Sequence, residues 1–117
     1  MNEKFLTNVR IIDPSQKMDE HGSVVVDENG KIKLIGKDVK KKDASSSAEV
    51  IDLKNNILIP GIVDMRAFVG EPGYEYKENF RTLSHAALAG GVTSIVTMPN
   101  TKPLIDNVSM VDFIIRR

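Results

Sequence analysis

Hydrophobic and polar residues follow two different rhythms along the chain, and the rhythm changes near residue 60. The first part has short β-branched or alternating runs separated by turn signals, which is typical of small β-strands. Asn29-Gly30 lies between two such runs and indicates a hairpin, because both residues tolerate a positive φ. We therefore predict a small antiparallel sheet or sandwich over residues 1–59, with strands at 5–6, 9–12, 23–27, 31–35, 49–53 and from 57.

From residue 60 the pattern indicates alternating strands and helices. Residues 62–68 carry few charges, which is typical of a strand that is buried on both faces. Apolar residues at helical spacing then predict an amphipathic helix over 77–89, which ends at Gly90-Gly91. The remaining pattern predicts a strand over 92–98, a loop over 99–107 and a last helix capped by Asn107.

A helix between two strands is the usual crossover of a parallel sheet. The fold class that we predict is therefore α/β, with an N-terminal β-rich part over 1–59 and a second domain over 60–117. Folds of this kind place their functional sites at the carboxyl ends of the strands. We expect functional residues in the loops that follow residues 68 and 98.

Composition narrows the function classes. The 117 residues include 16 basic and 16 acidic side chains, so the net charge of zero argues against nucleic-acid binding through bulk charge. The chain has no cysteine, which excludes disulfides, a thiolate nucleophile and cysteine-ligated metal within it. The first residues lack the apolar core of a signal peptide, and we expect a cytoplasmic protein without membrane contact. The polar segment 36–48 is predicted to be a mobile loop.

Two blocks of sequence resemble a known family. "LIPGIVDMRAFVGEPGYEYKENF" and "AALAGGVTSIVTMPNTKPLID" closely resemble the start of dihydroorotase, in the amidohydrolase superfamily, and "VRIIDPSQ" and "EVIDLKNNILIPG" resemble its N-terminal strands. The resemblance implies a β-sandwich-like subdomain followed by the first two β/α units of a (β/α)8 barrel. It also implies the family reaction, the reversible cyclisation of carbamoyl aspartate to dihydroorotate in pyrimidine biosynthesis. The family uses one or two divalent metals, usually zinc, to activate water.

The chain departs from this family at the residues that carry the chemistry. The family has Asp-x-His-x-His-x-Arg, in which the histidines bind metal and the arginine binds the substrate carboxylate. Here the aligned residues are Asp64, Arg66, Phe68 and Gly70. Arginine stays protonated and phenylalanine has no donor atom, so Arg66 and Phe68 are degenerate metal positions. Gly70 is a degenerate carboxylate-clamp position, because it has no side chain to form a bidentate pair.

Neither histidine offers a replacement ligand. His21 is predicted in a turn before Gly22, and His85 in the middle of a helix; a surface role is expected for both. With no cysteine either, we expect no zinc site formed by this chain alone and no catalytic residue within it. The resemblance assigns Asn100 a contact with substrate, while asparagine after a strand is also an ordinary turn residue.

Other retained or altered positions allow two interpretations. Asp64 is expected to hold the loop near the strand end, and Glu71-Pro72-Gly73 is either a retained family feature or only a tight turn. Arg66 could bind an anion at the mouth of a barrel strand. We favour a charge that fills a defunct pocket and pairs with a carboxylate, because a buried arginine needs a partner.

A complete barrel takes about 250 residues. The chain is therefore expected to supply the first part of a longer fold, with the remaining family ligands beyond Arg117 and with unpaired strand edges that favour association. Three hypotheses follow. The first is a degenerate, non-catalytic paralogue that self-associates or acts as a scaffold for aspartate transcarbamoylase. The second is an active cyclic amidohydrolase with metal ligands outside this segment, and the third is a self-contained β-rich interaction module.

Overall fold

The computed structural model describes residues 2–117. The chain divides into two compact units, of which the first ends at Pro60 and the second begins at Gly61. The first contains four strands, and the second alternates two strands with two α-helices; together they give an α/β chain with a mixed sheet and a parallel one. No helix among the described residues is both long and apolar enough to span a membrane.

The first unit is a single four-stranded sheet in the order β3-β2-β1-β4. β1 runs antiparallel to β2 and parallel to β4, so the prediction of an antiparallel sheet or a β-sandwich was wrong. The connection from β3 to β4 causes this difference, because it carries the chain past β2 and brings β4 to the far side of β1. The strands are β1 Lys4–Asp13, β2 Met18–Val26, β3 Ile32–Gly36 and β4 Glu49–Leu58.

The predicted hairpin after β2 is present. Asp27 N donates to Lys31 O at 2.8 Å, and Gly30 N donates to Asp27 O at 3.0 Å. Only Gly30 has a positive φ, 80°, which is the geometry of a three-residue hairpin loop that ends in a left-handed residue. β2 also starts earlier than predicted. His21 therefore lies within this strand, opposite Arg10, and not in a turn.

Two bulges interrupt β1 and β4 at neighbouring positions. The pairing register of β1 shifts between Leu6 and Val9, and Asn8 has a φ of 55°. On β4, Lys54 and Asn55 have φ values of 51° and 63°. The two strands predicted at 49–53 and from 57 therefore form one bulged strand, β4. The polar residues Lys54, Asn55 and Asn56 interrupt the apolar pattern at the bulge, and the sequence therefore indicated a break between two strands.

The buried centre of the first unit is formed by Val9, Ile11 and Val24. Phe5 and Val25 are also buried, and they face each other across β1 and β2. The segment 36–48, predicted to be mobile, contains residues with defined partners: Lys41 Nζ lies 6.0 Å from the Phe5 ring centre. Ser45 N of this segment donates to Glu3 Oε2 at 2.9 Å, and within the segment Lys41 Nζ donates to Ser45 O at 3.1 Å.

The second unit consists of β5 Ile62–Ala67, α1 Phe80–Ala89, β6 Val92–Thr97 and α2 Val108–Arg116. β5 and β6 pair in parallel and α1 connects them, as predicted. α1 begins at Phe80 and not at residue 77, because the Asn79 side chain caps it by accepting from Thr82 N at 3.0 Å. Gly91, with a φ of 79°, follows its end, and Asn107 caps α2.

The expected burial of β5 is not observed. Five of its six residues are exposed, and Met65 has 70% of its surface exposed. In a two-stranded sheet each strand has one free edge, and no strand pairs with the far side of β5 or β6 within the described residues. The β5–α1–β6 arrangement is the local unit that barrels and open α/β sheets repeat.

Candidate functional site

A β-bulge places Arg66 at the carboxyl end of β5. Asp64 pairs with Ile95 and Ala67 pairs with Thr97, so β5 has one more residue than β6 between these pairs. Asp64 Oδ1 accepts a hydrogen bond from Arg66 N at 2.8 Å, which stabilises the bulge. Asp64 thus holds backbone at the strand end. Bulges redirect side chains and are common near functional sites.

The guanidinium of Arg66 has no acidic partner in the part of the chain that the structure describes. Its Nε donates to the sulfur of Met98 at 3.4 Å, and Arg66 is exposed. Within residues 2–117, no ion pair includes Arg66. The carboxylate partner that we expected for a charge filling a defunct pocket is therefore not present in this part of the chain.

Phe68 and Gly70 belong to the loop that follows β5. Phe68 is half-buried, and its ring centre lies 6.1 Å from that of Tyr74. Gly70 has a φ of 74°, and its carbonyl accepts from Tyr74 N at 2.6 Å. A Cβ at this position would lie 2.7 Å from Glu78 O. The clamp position thus has a backbone that only glycine adopts without strain.

Glu71 does more than form a tight turn. The residue is 3% exposed, and its Oε2 accepts from Phe80 N, the first backbone amide of α1, at 3.0 Å. Its Oε1 accepts from Arg117 Nε at 2.7 Å. A carboxylate at a helix N-terminus is stabilised by the unpaired N–H groups and the helix dipole. Glu71 therefore connects the loop after β5 to the start of α1 and the end of α2.

The loops after β5 and β6 pack on each other. Lys102 N donates to Pro72 O at 3.0 Å, and the backbone carbonyl of Lys102 occupies the space that a side chain at Gly73 would need. The neighbouring Glu75 accepts from Gly73 N at 2.9 Å, and this hydrogen bond lowers the pKa of the Glu75 carboxyl. Both loops follow the carboxyl ends of strands, so they lie together at the end of the β5–β6 pair where we expected the functional residues; we call this end the candidate edge.

Asn100 lies at this edge with an unused side chain. The residue is exposed, and its amide makes no hydrogen bond to any residue in the described part of the chain. The next residue, Thr101, is 4% exposed and donates through Oγ1 to Pro103 O at 2.8 Å. The buried threonine thus fixes the loop, and Asn100 projects from it. The assignment of Asn100 to substrate binding stays a prediction.

The residues at this edge do not fit a zinc ion. Zinc in proteins takes three or four protein ligands with nitrogen, sulfur or oxygen donors. Arg66 and Phe68 offer no lone pair, and across residues 2–117 no three His, Asp or Glu side chains are grouped as metal ligands. His21 is exposed on β2 and His85 is exposed on α1. No step of chemistry is therefore assigned to a metal held by these residues.

Sequence reasoning missed two contacts of this edge. Met98 as the neighbour of Arg66 has no local signal, because it depends on the register between β5 and β6. The Glu71–Arg117 pair joins residues 46 positions apart, which periodicity cannot reveal. The position of Glu71 shortly before a predicted helix was a usable signal for its interaction with the helix N-terminus.

Comparison with known proteins gives the same relationship for nearly the whole chain. Dihydroorotase of Pelobacter propionicus is 44% identical over 113 residues, which are 97% of this chain and 26% of that protein. Dihydroorotase of Trichlorobacter lovleyi is 46% identical over 108 residues, covering 92% of this chain and 24% of the relative. Dihydroorotase of Aquifex aeolicus is 41% identical over 117 residues, covering 100% of this chain and 26% of the relative. By sequence, the chain is similar to a part of each of these dihydroorotases.

This relationship has a defined extent. The chain spans about a quarter of the length of these dihydroorotases, with shares of 24% to 26%. No family model matches the chain. The similarity therefore concerns this segment alone, and the activity, substrates and partners of the whole protein are proposals.

Proposed function

We propose that this chain is a segment of a dihydroorotase-like protein of pyrimidine biosynthesis that does not catalyse the family reaction, the cyclisation of carbamoyl aspartate. Support comes from the side chains at the end of β5. Arg66 and Phe68 occupy the positions where the family has metal-binding histidines, and neither can donate an electron pair. Gly70 occupies the position of the substrate-binding arginine, and its φ of 74° disfavours any larger residue.

A scaffold role follows from this interpretation. A protein that keeps the fold but lacks the metal ligands can still present a surface to aspartate transcarbamoylase or to a second copy of itself. The well-packed loops support retention of the fold, since Glu71 is buried and both of its oxygens are hydrogen-bonded. We expect the protein to bind aspartate transcarbamoylase without contributing turnover.

Metal content and turnover test this proposal directly. We expect zinc well below one ion per chain in the purified protein, and no interconversion of carbamoyl aspartate and dihydroorotate when zinc is supplied. Analytical ultracentrifugation with purified aspartate transcarbamoylase should show a complex. Stoichiometric zinc together with turnover would overturn the loss of catalysis, and the absence of a complex would overturn the scaffold role.

The second candidate is an active cyclic amidohydrolase whose metal ligands lie outside residues 2–117. The retained edge favours it: Asp64 stabilises the strand end, and Asn100 keeps an exposed amide without a partner in the described residues. The same assay separates the two candidates. The second candidate would be established if the protein showed turnover and Asn100→Ala reduced it at least about tenfold. Such a reduction corresponds to a loss of ~1.4 kcal/mol of transition-state stabilisation.

A further inference from the structure

Arg66 carries a permanent positive charge at a strand end, and no acidic side chain of residues 2–117 forms an ion pair with it. We propose that Arg66 anchors a binding site for a small oxyanion, a carboxylate or a phosphate, at the carboxyl ends of β5 and β6. This inference stands on the geometry of the bulge and not on the proposed loss of catalysis. The ligand titration tests only the anion site and the zinc assay tests only the loss of catalysis, so a negative result in one leaves the other hypothesis standing.

The hydrogen-bonding capacity of Arg66 is largely unused. Guanidinium has five N–H donors, and the one hydrogen bond that the Arg66 guanidinium makes among residues 2–117 is from Nε to the Met98 sulfur at 3.4 Å. Thioether sulfur is a weak acceptor, so this contact positions the side chain without neutralising it. The two Nη groups make no hydrogen bond within the described residues and match the two oxygens of a carboxylate or phosphate.

The acidic groups of the neighbouring segments have other partners. Asp64 Oδ1 accepts from Arg66 N, so this carboxylate is tied to the backbone of the bulge. Glu71 accepts from Phe80 N and Arg117 Nε, and Glu75 accepts from Gly73 N. Within the described residues, no carboxylate forms an ion pair with the Arg66 guanidinium.

The position of Arg66 favours a binding role over a general surface charge. The bulge between Asp64 and Ala67 redirects the side chain toward β6, where it meets Met98. Asn100 follows two residues later at the same strand end, and its exposed amide supplies a further N–H donor with no partner in residues 2–117. Arg66 lies at the carboxyl end of β5 and Asn100 follows the carboxyl end of β6, so both supply N–H donors at the same end of this parallel pair.

Calorimetric or NMR titration of the chain with malonate and, separately, with inorganic phosphate tests the site. We expect saturable binding of at least one ligand, and the two arms distinguish a carboxylate source from a phosphate source. Arg66→Gln should weaken binding at least about tenfold, because it removes a charged, two-donor contact. Arg66→Lys should retain part of the affinity, since the charge remains and the fork is lost. Asn100→Ala should weaken binding by a smaller factor.

Arg81→Gln is the matched control. Arg81 is an exposed arginine on α1 without an ion pair among residues 2–117, so its removal lowers the net charge equally. Unchanged affinity in this variant, with loss in Arg66→Gln, supports the site. Equal weakening by both variants would indicate non-specific attraction and overturn the proposal. A wild-type chain that binds neither ligand at tens of millimolar would overturn it as well.

Discussion

Gly70 and Gly91 have nearly the same left-handed backbone but different surroundings. Their φ values are 74° and 79°. A Cβ at Gly70 would lie 2.7 Å from Glu78 O, whereas a Cβ at Gly91 would lie 3.9 Å from Ile62 Cδ1. Both positions carry the cost of a left-handed non-glycine residue, which is ~1–2 kcal/mol. Only Gly70 adds a backbone clash.

We therefore predict that Gly70→Ala destabilises the second unit by at least ~1 kcal/mol more than Gly91→Ala. Both α-helices lie in the second unit, so the helical far-UV circular dichroism signal in urea reports its unfolding. Gly70→Arg, which reintroduces the family's clamp residue, should be at least as destabilising as Gly70→Ala. Equal losses for the two alanine variants would show that the loop after β5 relaxes to accept a side chain.

Glu71 is the buried charged residue at the centre of the loop contacts. Glu71→Gln removes the negative charge while keeping an acceptor oxygen, so it weakens the bonds from Phe80 N and Arg117 Nε. We predict a loss of ~2 kcal/mol in the free energy of unfolding, since hydrogen bonds to charged groups contribute ~1.5–3 kcal/mol. The control is Glu75→Gln, an exposed carboxylate in the same loop. A loss no larger than that of the control would contradict a stabilising role for Glu71.

At the scale of elements, the bulges of β1 and β4 depend on one carboxylate. Asp52 Oδ1 accepts from Lys54 N at 2.8 Å and from Asn8 Nδ2 at 2.9 Å. The hydrogen bond from the Lys54 N–H, followed by that from Asn8, lowers the pKa of Asp52. Hydrogen bonds from Arg10 to Asp19, and from Ser15 and Gln16 to Asp13, lower the pKa of those carboxyls too.

The sign of the pH dependence follows from these lowered pKa values. The stabilisation is complete above the unfolded pKa of aspartate, about 3.9, and is lost as the pH falls through the lower folded value. We predict that the urea concentration at the unfolding midpoint of the first unit decreases as the pH is lowered below about 4. Asp52→Asn should lower the midpoint at pH 7 and flatten its acid dependence. Asp38→Asn, at an exposed aspartate without hydrogen bonds in the described residues, should change neither.

The elements differ in how far the sequence could predict them. The hairpin at Gly30, the cap at Asn107 and the parallel pair β5–β6 follow local signals, namely Asn-Gly, a capping residue and a strand–helix–strand pattern. The parallel pairing of β4 with β1 has no local signal, because it depends on where the connection 37–48 leads. The location of the candidate edge, in the loops after residues 68 and 98, was predictable from the sequence. The Arg66–Met98 contact was not, because it depends on a strand register that is set by a bulge.

At the scale of the whole molecule, the second unit exposes apolar surface that a soluble monomer rarely keeps. β6 reads "VTSIVT", has no charged residue and has one edge without a strand partner in the described chain. Exposed strand edges of this kind favour pairing with another chain, while lysine residues prevent it. β3, an edge strand of the first unit, carries Lys33 and follows Lys31, so its edge has that protection.

We therefore predict that the 117-residue chain self-associates at tens of micromolar through the second unit, which light scattering will detect as a mass above 12.9 kDa. Val96→Lys, at a position on β6 that is 49% exposed, should shift the chain toward the monomer because a lysine at the edge must be desolvated on pairing. Ile32→Lys, at a position on β3 that is 62% exposed, adds the same charge and should leave the association unchanged. A monomeric wild-type chain would contradict the prediction. An equal effect of both lysine variants would show that association does not depend specifically on β6.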